Sequence, residues 1–403
     1  MKKGMSTNML SDTVLNLKES ATLKMSQLAR NLKAEGHDVI SLSVGEPDFD
    51  TPEFIRDAAK RALDDGYTHY TPVPGLMELR EAICTKLKRD NGLTFTPANV
   101  VVSNGAKQTI YNLCQALLNP GDEVIIFAPY WVSYIEIVKL AGGVPVILSA
   151  GVEEDYKVGA EALAGAITDK TKFVLYSSPS NPTGSVYTKT ELATLAEVLA
   201  PHDNVLIISD EIYEHIVFDS VHESIAQFDA VRERTIIVNG MSKGFAMTGW
   251  RLGYMAGPEY VAKACAKIQG QVTSGASAFG QKAAAEALIT APLFTQDMMR
   301  TFLGRREYVL GQLREIEGIK LSVPEGAFYI FPDVSAYYGK SYEGQVIKDS
   351  NDLAEAILNK AHIALVAGAA FGAPNCMRFS YAASQEKLVE ACRRLKEFFG
   401  KLA

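Results

Sequence analysis

Between Val100 and Val238 the chain carries five short apolar runs: Val100–Val102, Val124–Phe127, Phe173–Tyr176, Val205–Ile208 and Ile236–Val238. Each is continuous rather than alternating and is bounded by Gly, Pro, Asn or Asp, the pattern of strands covered on both faces. Helix-length segments lie between them, so the alternation predicts strand-helix-strand units feeding a largely parallel sheet. A helix ahead of these runs is expected to start at Thr51-Pro52-Glu53, with threonine as N-cap, proline at the first helical position and an acid in the first turn. Phe54, Ala58 and Ala62 would then share its buried face.

After about Leu293 the pattern changes to a long charged helix, a Pro-Glu-Gly turn, and strands around Ala327–Phe331, Ile363–Val366 and Met377–Tyr381. That reads as a second, smaller α+β domain. Met1–Gly36 has too few apolar positions for a core of its own and is expected to pack against it. The expected division is an N-terminal segment, 1–48, a large α/β domain, 49–293, and a small C-terminal domain, 294–403.

Charge narrows the function classes. Forty Lys+Arg against 47 Asp+Glu leave a net charge of -7, so no overall basic field exists for a nucleic-acid backbone. Cys84, Cys114, Cys265, Cys376 and Cys392 are scattered, with no C-x-x-C pair, and the histidines show neither H-x-x-x-H nor H-E-x-x-H. We expect no disulfide framework, no structural metal and a reduced, cytoplasmic setting. No stretch approaches the ~18 apolar residues of a bilayer span, and the first ten residues lack the apolar core of a signal peptide. Nucleotide motifs fail as well: the only Gly-Lys-Ser, at Gly339-Lys340-Ser341, has Val334 where a P-loop needs its first glycine.

One segment supports two chemistries. Gly240-Met241-Ser242-Lys243-Gly244 fits the G-x-S-x-G nucleophile elbow, with Asp352 and His362 following in the order of an α/β-hydrolase. A serine hydrolase is therefore an alternative, although Gly249 and Gly253 follow where the elbow should open a helix. Read through Lys243 instead, the segment offers a lysine among small residues just past a buried strand, a candidate for imine chemistry when desolvated. Ser242 and Arg251 could then converge on a phosphate. A second anion-binding element is Ser103-Asn104-Gly105-Ala106-Lys107, which ends one strand and opens a helix, though helix capping alone would also account for it. Asp210-Glu211-Ile212-Tyr213 ends another strand, where ligands gather in open parallel sheets. An acid after four apolar residues is expected to be buried and to need a cationic partner. Asn181-Pro182-Thr183-Gly184 is ordinary turn chemistry until set beside these.

Asn181, Asp210, Tyr213, Lys243 and Arg251 on successive strand ends are the parts of a pyridoxal phosphate site. With SVGEPDFDTP (Ser43–Pro52), SNGAKQ (Ser103–Gln108), PYWVSY (Pro129–Tyr134), SNPTG (Ser180–Gly184), SDEIYEH (Ser209–His215), SKGFAMTGWRLGY (Ser242–Tyr254) and RFSYA (Arg378–Ala382), the chain resembles the fold-type I pyridoxal phosphate dependent aminotransferases along its whole length. Within them it is most similar to the aspartate aminotransferase branch of bacteria and plastids, some of whose members also aminate prephenate. The resemblance implies a large domain with a mainly parallel sheet flanked by helices, a smaller α+β domain, and a homodimer with shared active sites.

It also implies roles. Lys243 matches the lysine that carries the cofactor covalently and later shuttles the substrate Cα proton, and Asp210 the carboxylate facing the pyridine nitrogen. Asn181 and Tyr213 match the pair bonding the phenolic oxygen, and Trp131 the stacking aromatic, which could equally be a core tryptophan. Gly105, Ala106, Lys107, Ser242 and Arg251, with Tyr70 from the other subunit, match the phosphate cradle. Arg378 and Gly45 match the α-carboxylate site, Lys107 the contact to a distal carboxylate, and Thr22 an added hydroxyl there. Asparagine and tryptophan at 181 and 131 would also touch substrate. A non-catalytic binding protein on the same scaffold would need an added basic domain, and none precedes Val39.

Overall fold

The computed structural model describes residues 9–290 and 292–403, so the first eight residues of the expected N-terminal segment lie outside the described residues. A seven-stranded sheet forms the centre of the molecule, in the spatial order Val100–Ser103, Gly253–Ala256, Thr235–Gly240, Leu206–Asp210, Thr171–Ser177, Glu123–Ala128, Val144–Ser149. All pairings are parallel except the two made by Gly253–Ala256, which is the one reversed strand. All five apolar runs are strands of this sheet. Alternate residues explain their unbroken hydrophobicity. Val124, Ile126, Phe173 and Leu175 pack into one core cluster, while Ile125, Phe127, Val174 and Tyr176 pack into another on the opposite face. Both faces are covered by helices, so neither can be polar.

The apolar pattern does not predict Val144–Ser149. It is one of the two edge strands and the more exposed of them, with Val144 46% exposed, and Pro145 is tolerated because an edge position leaves one side of the backbone unpaired.

The helix expected from Thr51 runs from Glu53 to Asp64 with Pro52 as its N-cap, and Thr51 is not a cap. Its hydroxyl instead donates to the carbonyl of Ala246 (2.6 Å) and accepts from the Trp250 indole (2.9 Å), tying this turn to the segment that follows Lys243. Ile55, Ala58, Ala59 and Ala62 form its buried face, with Phe54 only partly covered.

Beyond the helix Pro292–Arg314, Val366–Ala367, Met377–Ser380 and Tyr329–Ile330 form an antiparallel three-stranded sheet. The run expected at Ile363–Val366 divides at Leu365. Ile363–Ala364 pairs in parallel with Ile40–Ser41, whereas Val366–Ala367 joins the three-stranded sheet. The N-terminal helix Ala21–Ala34 buries Ala29 against Val39, Leu358 and Ala364. Among the described residues, no helix is long and apolar enough to cross a membrane, and all five cysteines are free thiols.

Candidate active site

Six of the seven strands run in the same direction, and the loops at their carboxyl ends converge on one cavity of about 300 Å³. Thr22, Gly45, Ala106, Lys107, Trp131, Asn181, Asp210, Tyr213, Ser242, Lys243, Arg251 and Arg378 all line it. Two expected residues stand apart. Gly105 lies immediately behind the lining as N-cap of the helix Ala106–Leu117. Tyr70 is 97% exposed and takes no part in the cavity of its own chain.

Asp210 is the last residue of its strand and is buried. Burial pushes its carboxyl up to about 6, against hydrogen bonds from the Tyr134 hydroxyl (2.6 Å) and the Ile212 amide (3.3 Å). The cationic partner expected from the sequence is not what the chain supplies. The bonded partner is a neutral phenol, and the Lys243 ammonium acts on Asp210 only through space, as the weakest of the influences on its carboxyl.

Lys243 follows the neighbouring strand Thr235–Gly240. Its amine donates to the carbonyl of Gly45 (2.6 Å) and is pushed down to about 8 by burial, with Glu46 acting the other way and Arg378 and Arg251 adding to the fall. At about 8 the amine is roughly one-tenth free base at pH 7, against less than about a thousandth for an ordinary lysine near 10.4.

Arg378, buried on Met377–Ser380, donates to Asn181 Oδ1 (2.9 Å) and to the carbonyl of Ser43 (2.5 Å), while its Nε has no partner among the described residues. Its guanidinium lies 4.6 Å from the centre of the Tyr329 ring, and the hydroxyls of Tyr329 and Tyr213 are 2.7 Å apart. Burial, then the Tyr329 contact, raises the Tyr213 phenol well above its ordinary range. It therefore acts as a neutral hydrogen-bonding group.

The phosphate-cradle candidates meet at one corner. Gly105 has φ +84°, a backbone conformation that favours glycine, and its bare Cα lies beneath the Arg251 guanidinium, which a Cβ would approach to 2.5 Å. Arg251 is itself left-handed (φ 56°) and donates to the Thr248 carbonyl (2.9 Å), a strained conformation that holds the guanidinium over the helix N-terminus. The Lys107 amine stands 4.9 Å from the Trp131 ring centre, and burial, then Arg251, lowers its pKa. Trp131 is half-buried and meets Tyr134 edge-on, so it is a cavity wall rather than a core tryptophan.

The hydrolase alternative does not assemble. Asp352 lies on the helix Ser350–Ala361 and accepts from the Lys348 amide (3.1 Å), and His362 ends that helix stacked 4.7 Å from His37. Neither lines the cavity that contains Ser242, and no α-helix opens between Ser242 and the strand Gly253–Ala256. Sequence reasoning missed Tyr134 and Tyr329 as individual site residues. Tyr134 sits inside the PYWVSY motif, but its bond to Asp210 spans 76 positions and has no local signal.

Glu211, Glu214 and His222 bring potential metal-ligand atoms within 4.8 Å of one another behind the cavity. Their oxygens are already engaged. Glu211 accepts from Ser209, Ser224 and His222, and Glu214 from Lys86, Asn91 and Asn239. Among the described residues Lys86 donates to Glu214 and Asn91 only, and Glu211 and His222 bond each other.

Comparison with known proteins reaches the same chemistry independently of this geometry. The sequence-family model described as "Aminotransferase class I and II" matches residues 37–395. The aspartate/prephenate aminotransferase of Cereibacter sphaeroides is 49% identical over 98% of this chain and 99% of its own. The bifunctional aspartate aminotransferase and glutamate/aspartate-prephenate aminotransferase of Petunia hybrida is 48% identical over 96% of this chain and 82% of its own. Among solved structures, the aspartate aminotransferase of Rhizobium meliloti superposes with a TM-score of 0.95 at 40% identity, covering 99% of this chain and 100% of that one. The Thermus thermophilus enzyme crystallised with maleate gives 0.91 at 42%, covering 96% and 99%. With the family match spanning most of its length and relatives close to half identical over nearly all of it, the chain belongs to the class I and II aminotransferases, pyridoxal 5′-phosphate dependent enzymes of fold type I.

Proposed function

We propose that this enzyme moves the amino group of aspartate to 2-oxoglutarate by ping-pong transfer, releasing oxaloacetate and glutamate, and that prephenate is a further acceptor. The observation that carries this reading is the charge of the cavity. Lys107, Lys243, Arg251 and Arg378 line it, against the single acid Asp210. Such an excess of cations suits a phosphate together with two carboxylates. The names of the similar enzymes and the maleate in the Thermus structure point to the same dicarboxylic class.

The residues fit pyridoxal 5′-phosphate. Asp210 is a buried acceptor wanting a cation, the Arg378 Nε is an unused buried donor, and the bare backbone at Gly105 leaves a helix N-terminus open beside Arg251. When bound, the cofactor supplies a carbonyl carbon for the substrate amine and a protonated ring that withdraws the electron pair left at Cα. The negative charge of Asp210 holds a proton at the ring nitrogen. Asn181 and Tyr213 supply hydrogen bonds at the phenolic edge, and Trp131 covers a ring face. The amides of Gly105, Ala106 and Lys107, with Ser242, Arg251 and the Tyr70 hydroxyl of a second subunit, hold the phosphate.

Arg378 takes the substrate α-carboxylate in its planar fork, assisted by the Gly45 amide. Lys107, with Thr22, takes the distal carboxylate. Lys243 Nζ, lowered to about 8, then moves the Cα proton as a free amine. This reading makes the enzyme a cytoplasmic homodimer with shared sites and divides each chain into 1–48, 49–293 and 294–403.

Borohydride reduction of the holoenzyme is expected to fix the cofactor on the peptide carrying Lys243. Fixation elsewhere, or none, overturns the assignment. Replacing Lys107 by alanine is expected to lower kcat/KM for aspartate about 10- to 100-fold, the worth of a charge-assisted hydrogen bond, with little change for alanine as donor. Equal losses for both donors would place the distal anchor elsewhere.

A further inference from the structure

The loop that carries Tyr70 is pinned by two fully buried glutamines. Gln281, on the helix Ala278–Thr290, accepts from the Leu76 amide (2.7 Å) and donates to the Ala276 carbonyl (2.8 Å) and the Thr71 hydroxyl (3.2 Å). Gln269, on Glu259–Val272, donates to the carbonyls of Val73 and Val102 (2.8 Å each) and accepts from Asn112 (3.0 Å). Both side chains are 0% exposed, and each uses its oxygen and its nitrogen. The backbone adds a bond from the Val102 amide to the Pro74 carbonyl (2.9 Å). Gly75 (φ +103°) lets the chain press against Val102 and the Gln281 oxygen, where a Cβ would lie within 2.9 Å of each.

This clamp ends one residue from Tyr70, whose ring is 97% exposed. The surface beside it, shaped by 67–71 and 275–279, encloses a recess of about 420 Å³ and exposes Phe279. Through Val102 the clamp also joins the strand Val100–Ser103, which leads into the Gly105–Lys107 cradle of the same chain.

We propose that Gln281, backed by Gln269, is a positioning residue that sets Tyr70 in place before a second copy of the chain docks, so that its hydroxyl reaches the phosphate bound by that copy. The inference rests on the shared-site reading given above and deepens it. A pre-set loop spares the phosphate contact the entropy of ordering a loop on binding. Loss of the clamp should therefore act on phosphate recognition alone.

The test compares the affinity of the full-length chain for pyridoxal 5′-phosphate and for pyridoxal, which lacks the phosphate, by absorbance titration, with the dimer checked by sedimentation. Tyr70→Phe is expected to weaken pyridoxal phosphate about tenfold and pyridoxal less than about twofold. Gln281→Met, which keeps the volume but removes the polar atoms, is expected to do the same, and the double variant to add little. Thr71→Val, a milder cut in the same clamp, should fall in the same direction and decides the matter if Gln281→Met fails to dimerise. Equal weakening for both ligands, or an effect of Tyr70→Phe with none in either clamp variant, overturns the positioning role. If Tyr70→Phe itself changes neither affinity, the shared-site reading fails and the proposal with it.

Discussion

Replacing Asp210 by asparagine is expected to slow amino transfer about 10³-fold, the scale on which a preorganised charge at the reacting centre acts. Asparagine preserves the shape and can still accept from Tyr134, now 2.6 Å from the carboxylate, but it has no charge to hold a proton at the ring nitrogen. The same change should act on stability with the opposite sign. Asp210 is raised from 3.8 to about 6 by burial, partly offset by Tyr134 and Ile212. A carboxyl with a raised folded-state pKa gives its full stability below the unfolded value and loses it as pH rises through the folded one. In cofactor-free protein above pH 6, the ionised group then costs roughly 3 kcal/mol, because each tenfold change in proton affinity is worth about 1.4 kcal/mol. Urea denaturation of the cofactor-free forms should find Asp210→Asn more stable at pH 8 and the difference fading toward pH 4. A variant that is slower and less stable at pH 8 would show that Asp210 serves the fold rather than the chemistry.

That opposition explains what was legible in the sequence. The parallel strands were readable because both faces of the sheet are covered, which forces runs such as Val124–Phe127 to be wholly apolar. Asp210 and Lys243 were readable for a related reason, since each lies a few residues past the carboxyl end of an apolar run, where the sheet opens. Val144–Ser149 gave no such signal at the sheet edge, and Thr51, though a good N-cap by type, is drawn off to the Ala246 carbonyl by a tertiary contact. The partners that tune the site were the least legible. Tyr134 reaches Asp210 across 76 positions and Tyr329 reaches Tyr213 across 116, and nothing local distinguishes these phenols from core tyrosines. The glutamine clamp is similar, because Gln281 lies in an alanine-rich helix that reads as plain packing.

The largest stability effect is expected behind the site. Asp210 and Tyr213 point into the cavity, while Glu211 and Glu214 on the same turn point away, into a buried polar cluster. Lys86, on the helix Met77–Asn91, donates there to Glu214 and, at 2.8 Å, to Asn91. The two side chains of the ion pair are 1% and 5% exposed. Burial alone would raise the Glu214 carboxyl, but Lys86, with His215 and His222, overrides it and holds the group at about 2. His215 is itself pushed down to about 4 by burial, so at neutral pH it gives no full charge and the compensation falls mainly to Lys86. Lys86→Met should therefore cost about 3–5 kcal/mol at pH 7, the usual result of stranding one member of a buried pair. The pH dependence follows from the direction in which the carboxyl is moved. The native pair is stabilising above the unfolded value of 4.5 and is lost as pH falls toward about 2, whereas a stranded Glu214 is relieved by taking up a proton. The deficit of Lys86→Met should accordingly shrink as the pH is lowered from 7 to 5. Adding Glu214→Gln should recover most of it at pH 7, because a neutral amide can still bond Asn91 and Asn239. Chemical denaturation of the single and double variants at both pH values measures this. A double variant no more stable than Lys86→Met would mean that the lysine acts through the packing of its stem rather than through its charge.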